Sequence, residues 1–298
     1  MKKILVSGLV NTETTVKVRK FPIDYYPIDY PFFGVNTAVS GVGYNLALAL
    51  TTLGDEVQLH SMTGTDFPAA FIKQELESAG IDTNDLKPCL QETPSSVVLF
   101  DETGKRQIYC DLKDIQERQY GFEERMVENA DLVVACNINF NRKLLHLAKK
   151  LGKTVATDVH VLGNLWDDYN REFMEYADIL FLSDEAAWED YHAFIREIAR
   201  IYHPKIIVMG RGGKGAAMYV REENRIIDMP AGNVGNVVNT VGAGDALFSA
   251  FIHYYAKGLS PVECLSRAQL FAAAKIRISG ASKGFVSEQE IEEMLKWN

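Results

Sequence analysis

The chain has 298 residues, 47% of them apolar and 24% charged, with no long biased tract, which excludes a disordered or fibrous protein and allows a sizeable core. Its 31 Lys and Arg against 40 Asp and Glu give a net charge of −9, which works against nucleic acid or anionic membranes as partners. A small ligand is expected instead, and any phosphate on it must be met by backbone N–H groups, Mg²⁺ or a few basic side chains.

Residues 3–9, KILVSGL, form an apolar run that opens at Gly8 and Asn11, the pattern of a buried, central strand. Similar runs follow at 56–62, 131–137, 154–159, 178–183 and 205–210, with amphipathic helical stretches between many of them. This alternation predicts an α/β fold with a parallel sheet, helices on both faces, and a ligand site beyond the carboxyl ends of the strands. Two further β-type runs, AAMYV and RIIDMP, follow Gly215, and three helices are expected at 243–257, 260–278 and 287–297.

Two regions break the alternation. Residues 12–37 combine TTVKVRKF with a Pro- and aromatic-rich stretch, and residues 95–111 are two β-type runs around Asp101 to Gly104. Both read as strands outside the main sheet, forming a small β lid that excludes water during chemistry, with an edge hairpin plus a surface loop as the plainer alternative. The aromatic segment 25–33 is expected to close over the acceptor, and exposed lid edges allow a homodimer. One domain, 1–298, carries these elements, since no Gly/Ser-rich linker divides the chain.

The cysteines Cys89, Cys110, Cys136 and Cys264 are far apart and not at metal-ligand spacing. No uninterrupted apolar run approaches the roughly 18 residues of a membrane span, and Met1 to Val10 is too short for a signal peptide. A cytoplasmic enzyme is expected.

The densest chemical signal is Asn239-Thr240-Val241-Gly242-Ala243-Gly244-Asp245, followed by Leu247, Phe251 and Tyr254 at helical spacing. Gly242 to Gly244 therefore start a helix whose unpaired N–H groups make an anion site approachable by a phosphate. A carboxylate beside that site is electrostatically awkward unless Asp245 takes a proton from an attacking hydroxyl; the plainer reading is that it only caps the first turn.

This segment resembles the carboxy-terminal D-T-x-G-A-G-D motif of the PfkB, or ribokinase-like, family of carbohydrate and nucleoside kinases. The resemblance implies a three-layer sandwich with a central, mostly parallel sheet and a small β lid. It implies ATP-dependent phosphorylation of a sugar, polyol or nucleoside hydroxyl, with Gly242, Ala243 and Gly244 as the anion hole and Asp245 as the base. Ser40 to Ala47 is similar to the family's G-G-x-x-x-N-x-A motif, so Gly41, Gly43 and Asn45 would bind the acceptor, as would Asn11, which stands where the family places an Asp. Gly64-Thr65-Asp66 resembles the family's G-x-D turn. Gly212 to Gly215 is similar to its nucleotide-binding turn, which with Asn239 and Thr240 would hold ATP. The run from Gly210 to Gly215 also satisfies G-x-G-x-x-G, but a β-type segment follows where a dinucleotide site needs a helix. Gly280 to Gly284 fits G-x-S-x-G without its context and reads as a turn between helices.

Three departures matter. Asn239 replaces an Asp linked with a monovalent cation, which leaves K⁺ activation open. Ser183-Asp184-Glu185-Ala186 replaces the N-x-x-E motif that orders Mg²⁺, so Asp184 or Glu185 would supply the missing carboxylate, or nucleotide and water hold the metal. Val42 stands where related kinases carry Lys, which favours a neutral acceptor. The competing reading is a catalytically weak or inactive sugar- or nucleotide-binding relative.

Overall fold

The computed structural model describes residues 1–232, 235–278 and 280–296. A nine-stranded sheet runs through the chain, with spatial order β13-β12-β11-β10-β9-β8-β1-β4-β5. Its strands are β1 (Lys3–Ser7), β4 (Glu56–Thr63), β5 (Leu86–Pro88), β8 (Leu132–Ala135), β9 (Val155–Val161), β10 (Ile179–Ser183), β11 (Ile206–Gly210), β12 (Ala216–Val220) and β13 (Arg225–Met229). From β5 to β11 all neighbours are parallel, and β12 and β13 complete the sheet antiparallel. The first strand lies inside the sheet, third from one end. The short edge strand β5 gives no apolar run in the sequence.

Side chains alternate between the two faces. Ile4, Val6, Val134, Phe181 and Val208 pack under helices α1 (Val42–Thr52), α2 (Phe67–Ser78), α7 (Ala243–Ala256), α8 (Pro261–Lys275) and α9 (Glu288–Leu295). Leu5, Val133, Leu180 and Ile207 pack under α3 (Glu124–Glu128), α4 (Arg142–Lys150), α5 (Arg171–Tyr176) and α6 (Tyr191–Tyr202). Each fully buried large apolar side chain stabilises by about 1.5–3 kcal/mol, and Phe248 and Phe251 on α7 meet Phe181 at 4.6 and 5.4 Å between ring centroids. These two rings fix α7 against the middle of the sheet.

The two regions that interrupt the alternation pair with each other. Strands β2 (Asn11–Lys17), β3 (Val35–Ser40), β6 (Ser95–Phe100) and β7 (Arg106–Asp111) form a second sheet in the order β3-β2-β6-β7. The central β2–β6 pairing is parallel, and the flanking pairings are antiparallel. Asp101 closes the β6–β7 turn by accepting from the amides of Thr103 and Lys105. The aromatic loop between β2 and β3 is largely in solvent, with Tyr25 88% and Phe32 83% exposed.

Helix α8 stops at Lys275, three residues short of the sequence expectation, because the Ile276 carbonyl accepts from the amides of Val238 and Asn239 instead of continuing the helix. The expected end of the last helix at Trp297 lies outside the described residues. Asp66 of the G-x-D turn caps α2 through the Ala69 amide and clamps Thr93, a structural role. Among the described residues no helix is long and apolar enough to cross a membrane.

Candidate active site

Every parallel strand from β4 to β11 ends on the same edge of the sheet, which brings segments distant in sequence together. Helix α7 starts there from Gly242, whose φ of 79° is left-handed and whose Cβ, if present, would lie 2.4 Å from the Ala281 carbonyl oxygen. Only glycine makes this corner without displacing the chain. The Ala243 amide donates to the Thr240 carbonyl at 3.2 Å, while the amides of Gly244 and Asp245 have no backbone acceptor among the described residues. They sit at the positive end of a 14-residue helix, where an anion is stabilised.

Asp245 is in the first turn of α7, and its Oδ2 accepts a hydrogen bond from Asn45 Nδ2 of α1 at 2.7 Å. Burial pushes the Asp245 carboxyl above the usual carboxylate range. The Asn45 hydrogen bond and the charges of His160 and Lys275 pull against that, while Asp158 adds to it. The other oxygen atoms of the asparagines are free: Asn45 Oδ1 and Asn11 Oδ1 are buried without hydrogen-bond partners, and Asn11 Nδ2 donates to Ser96 Oγ at 3.1 Å. Buried acceptors of this kind call for donors from a ligand. Gly41 and Gly43 lie against the chain just after β1, with the Gly43 amide donating to the Leu9 carbonyl at 2.9 Å, so α1 is pinned beside Asn11.

Two residues that the sequence reading did not single out complete the charge pattern. Asp158 is at the carboxyl-terminal part of β9, and His160 follows in the left-handed region at φ 57°. The His160 Nδ1 lies 3.5 Å from Asp158 Oδ2, and its amide donates to Oδ1 at 2.8 Å. The Asp158 carboxylate outweighs partial desolvation and raises the imidazole to about 9, which favours the cation at neutral pH. Burial opposes ionisation of Asp158, but the charge and hydrogen bonds of His160 together hold its carboxyl below the usual range. The rule that sites gather at carboxyl ends of parallel strands points to both residues from TVATDVH alone.

The small sheet roofs a cavity of about 840 Å³ whose opposite wall is 237–241 and 280–283. Strand register places Asn11, Glu13, Thr15 and Lys17 on one face of β2, and Glu13, Thr15 and Lys17 line the cavity with Ser40, Phe100 and Arg106. Glu13 receives a 3.4 Å hydrogen bond from Ser40, and burial pushes its carboxyl up against Ser40 and the Arg106 charge. Asn239 and Thr240 belong to the far wall, and Asn239 Oδ1 accepts from the Val241 amide at 2.8 Å. The Gly280–Gly284 stretch is a turn between helices, and its Ala281, Ser282 and Lys283 also line the cavity. None of the aromatic residues 25–33 lines it.

The turn after β11 is a single 3₁₀ turn, Gly212–Lys214, closed by the Gly215 amide donating to the Gly212 carbonyl. A Cβ on Gly215 would lie 2.0 Å from the Met229 carbonyl, and β12 follows directly, so the G-x-G-x-x-G run is no dinucleotide fingerprint. Asp184 follows β10 and faces the Arg211 guanidinium at 3.7 Å, while Glu185 is exposed. Arg211 also stacks on the Tyr191 ring at 3.6 Å. Among the described residues no group of three or more His, Cys, Asp or Glu could hold a metal ion.

Known proteins are similar to this chain in sequence and fold. The chain is 24% identical over 261 residues to the fructosamine kinase FrlD of Bacillus subtilis, covering 87% of this chain and 89% of that protein. It is 25% identical over 319 residues to a deoxyribokinase of Salmonella typhimurium, covering 99% of both. The structure of Arabidopsis thaliana ribokinase complexed with ribose and ATP superposes with a TM-score of 0.84 at 20% identity, over 100% of this chain and 99% of that one. The model of the pfkB family carbohydrate kinases matches residues 1–288, nearly the whole chain. With this family model matched over residues 1–288 and a ribokinase-type fold, the chain belongs to the pfkB family of carbohydrate kinases.

Proposed function

We propose that this kinase transfers the γ-phosphoryl group of ATP to a hydroxyl of a small sugar, polyol or nucleoside, with Asp245 as the base. One observation carries the reading: the Asp245 carboxylate, oriented by Asn45 at 2.7 Å, stands in the first turn of α7 beside the amides of Gly244 and Asp245, which have no backbone acceptor among the described residues. The acceptor hydroxyl gives its proton to Asp245 as its oxygen forms a bond to the γ-phosphorus. The bond from that phosphorus to the β–γ bridging oxygen breaks, and ADP leaves with the electron pair. Amides at the helix start stabilise the charge on the transferring group.

The free oxygens of Asn11 and Asn45 suit acceptor hydroxyls, and Gly41 and Gly43 let the acceptor approach the backbone. Asn239, Thr240 and the Gly212–Gly215 turn hold the nucleotide. When bound, Mg²⁺ neutralises phosphate charge. Its ligands would come chiefly from the nucleotide and water, and Asp158 and Asp184, at the ends of the adjacent strands β9 and β10, would be the carboxylates to order those waters. Both have their charge partly compensated, Asp184 by Arg211 and Asp158 by His160. The small sheet serves as the lid. Its exposed aromatic loop and the exposed edge strand β7 suit a homodimer.

The test is incubation with MgATP and a panel of sugars, polyols, amino sugars and nucleosides, reading ADP release and product mass. One phosphorylated acceptor is expected. Nucleotide binding without any phosphorylated product would favour the non-catalytic reading.

A further inference from the structure

The 239–245 turn is held from below by the end of α8. The Ile276 carbonyl accepts from the amides of Val238 (2.9 Å) and Asn239 (3.0 Å), and the Lys275 ammonium donates to the Val241 carbonyl. Lys275 is 0% exposed. An ammonium taken wholly out of water is costly unless its charge is answered, and burial lowers this one to about 8 against the pull of the Asp245 carboxylate. Its position in the last turn of α8 answers the charge with the negative end of a helix, one residue from the carbonyl that grips the turn.

The same turn is where a dissolved monovalent cation would have to bind, and the oxygens it would need are engaged. The Val241 carbonyl is taken by Lys275, the Asn239 side-chain oxygen accepts from the Val241 amide, and position 239 supplies an amide in place of a carboxylate. The residues do not fit K⁺. We infer that Lys275 is the built-in cation of the phosphoryl-transfer turn, a positioning residue that holds Val241 to Gly244 in register and replaces a dissolved monovalent ion. The inference rests on the kinase reading for its catalytic meaning, but its test does not need turnover.

The experiment measures the affinity of a non-hydrolysable ATP analogue with Mg²⁺, and the thermal midpoint, in choline, Na⁺ and K⁺ chloride at equal ionic strength. The wild type is expected to differ less than about twofold among the salts. Lys275→Met is expected to lose about tenfold in analogue affinity in choline, of the order of one desolvated charge contact, and to recover most of it in K⁺ or ammonium. Lys275→Arg, which keeps the charge, is expected to lose less than Lys275→Met and to stay indifferent to salt. Selective strengthening of the wild type by K⁺ would overturn the inference even if Lys275→Met fails to fold. A Lys275→Met loss that no cation restores would reduce Lys275 to a structural side chain and overturn it equally. If these results hold while no acceptor is phosphorylated, the kinase reading fails and the built-in cation stands.

Discussion

Asn45 on α1 and Asp245 on α7, 200 positions apart, are joined by a 2.7 Å hydrogen bond. The bond favours the ionised carboxylate and so opposes the effect of burial on Asp245. Removing it with Asn45→Ala leaves burial unopposed by that donor. The acid limb of kcat/KM against pH is therefore expected to move to higher pH, since the base must be ionised to accept a proton. An unmoved limb would separate Asn45 from the base.

Gly242→Ala tests the anion corner. A side chain in the left-handed region costs about 1–3 kcal/mol, and the added Cβ would also meet the Ala281 carbonyl at 2.4 Å. A lower thermal midpoint is expected, with kcat reduced by about 10²-fold as the helix-start amides shift. Thermal unfolding and steady-state kinetics read the two effects separately.

Glu13 is the one carboxylate on the cavity face of β2, and its hydrogen bond from Ser40, the one it has among the described residues, is long. A ligand donor is expected to meet it, so Glu13→Gln should change KM for the acceptor about tenfold, the scale of a hydrogen bond to a charged group. KM for ATP and kcat should stay within about twofold. Equal effects on both substrates would remove Glu13 from the acceptor site.

His160 gives a prediction in stability. Its folded pKa, about 9, is above the unfolded value, so the stability it contributes is fully present below the unfolded pKa and is lost as pH rises through about 9. Its side chain is 42% exposed, so solvent screening limits the effect to about 1 kcal/mol. His160→Asn, which tolerates the left-handed backbone, should be less stable than wild type at pH 7 by this amount, and the difference should vanish near pH 10. Denaturant unfolding at the two pH values checks it.

Much of the fold is legible in the sequence because its signals are local. Ile4 to Val6 form an apolar run that only a strand buried on both faces needs, and Gly242 to Gly244 before Leu247 and Phe251 mark a helix start with room for an anion. The pairing of β2 with β6 is suggested by two similar β-type segments, but their register is not, since no periodicity relates residues 12 and 95. Lys275 reads as an ordinary basic residue in the last turn of a helix, and its burial exists only once α8 packs on α7. Glu13 looks like one of several polar residues in a polar strand, and only the roof formed with β6 and β7 places its carboxylate inside a cavity. Side chains that acquire meaning through packing between distant segments are hidden from periodicity, motif and composition alike.

The base is tested most directly by Asp245→Asn with the acceptor that the panel identifies. The substitution keeps the shape and a carbonyl acceptor for Asn45 but removes the proton-accepting charge, so kcat should fall by about 10²–10⁴-fold with ATP-analogue affinity little changed. The folded pKa of Asp245 is raised, so the stability its protonated form contributes is present below the unfolded pKa and lost as pH rises through the folded one; the variant should unfold no earlier than wild type at pH 7. A folded Asp245→Asn enzyme that turns over within about tenfold of wild type, less than the smallest contribution of a general base, would contradict the assignment of Asp245 as the base.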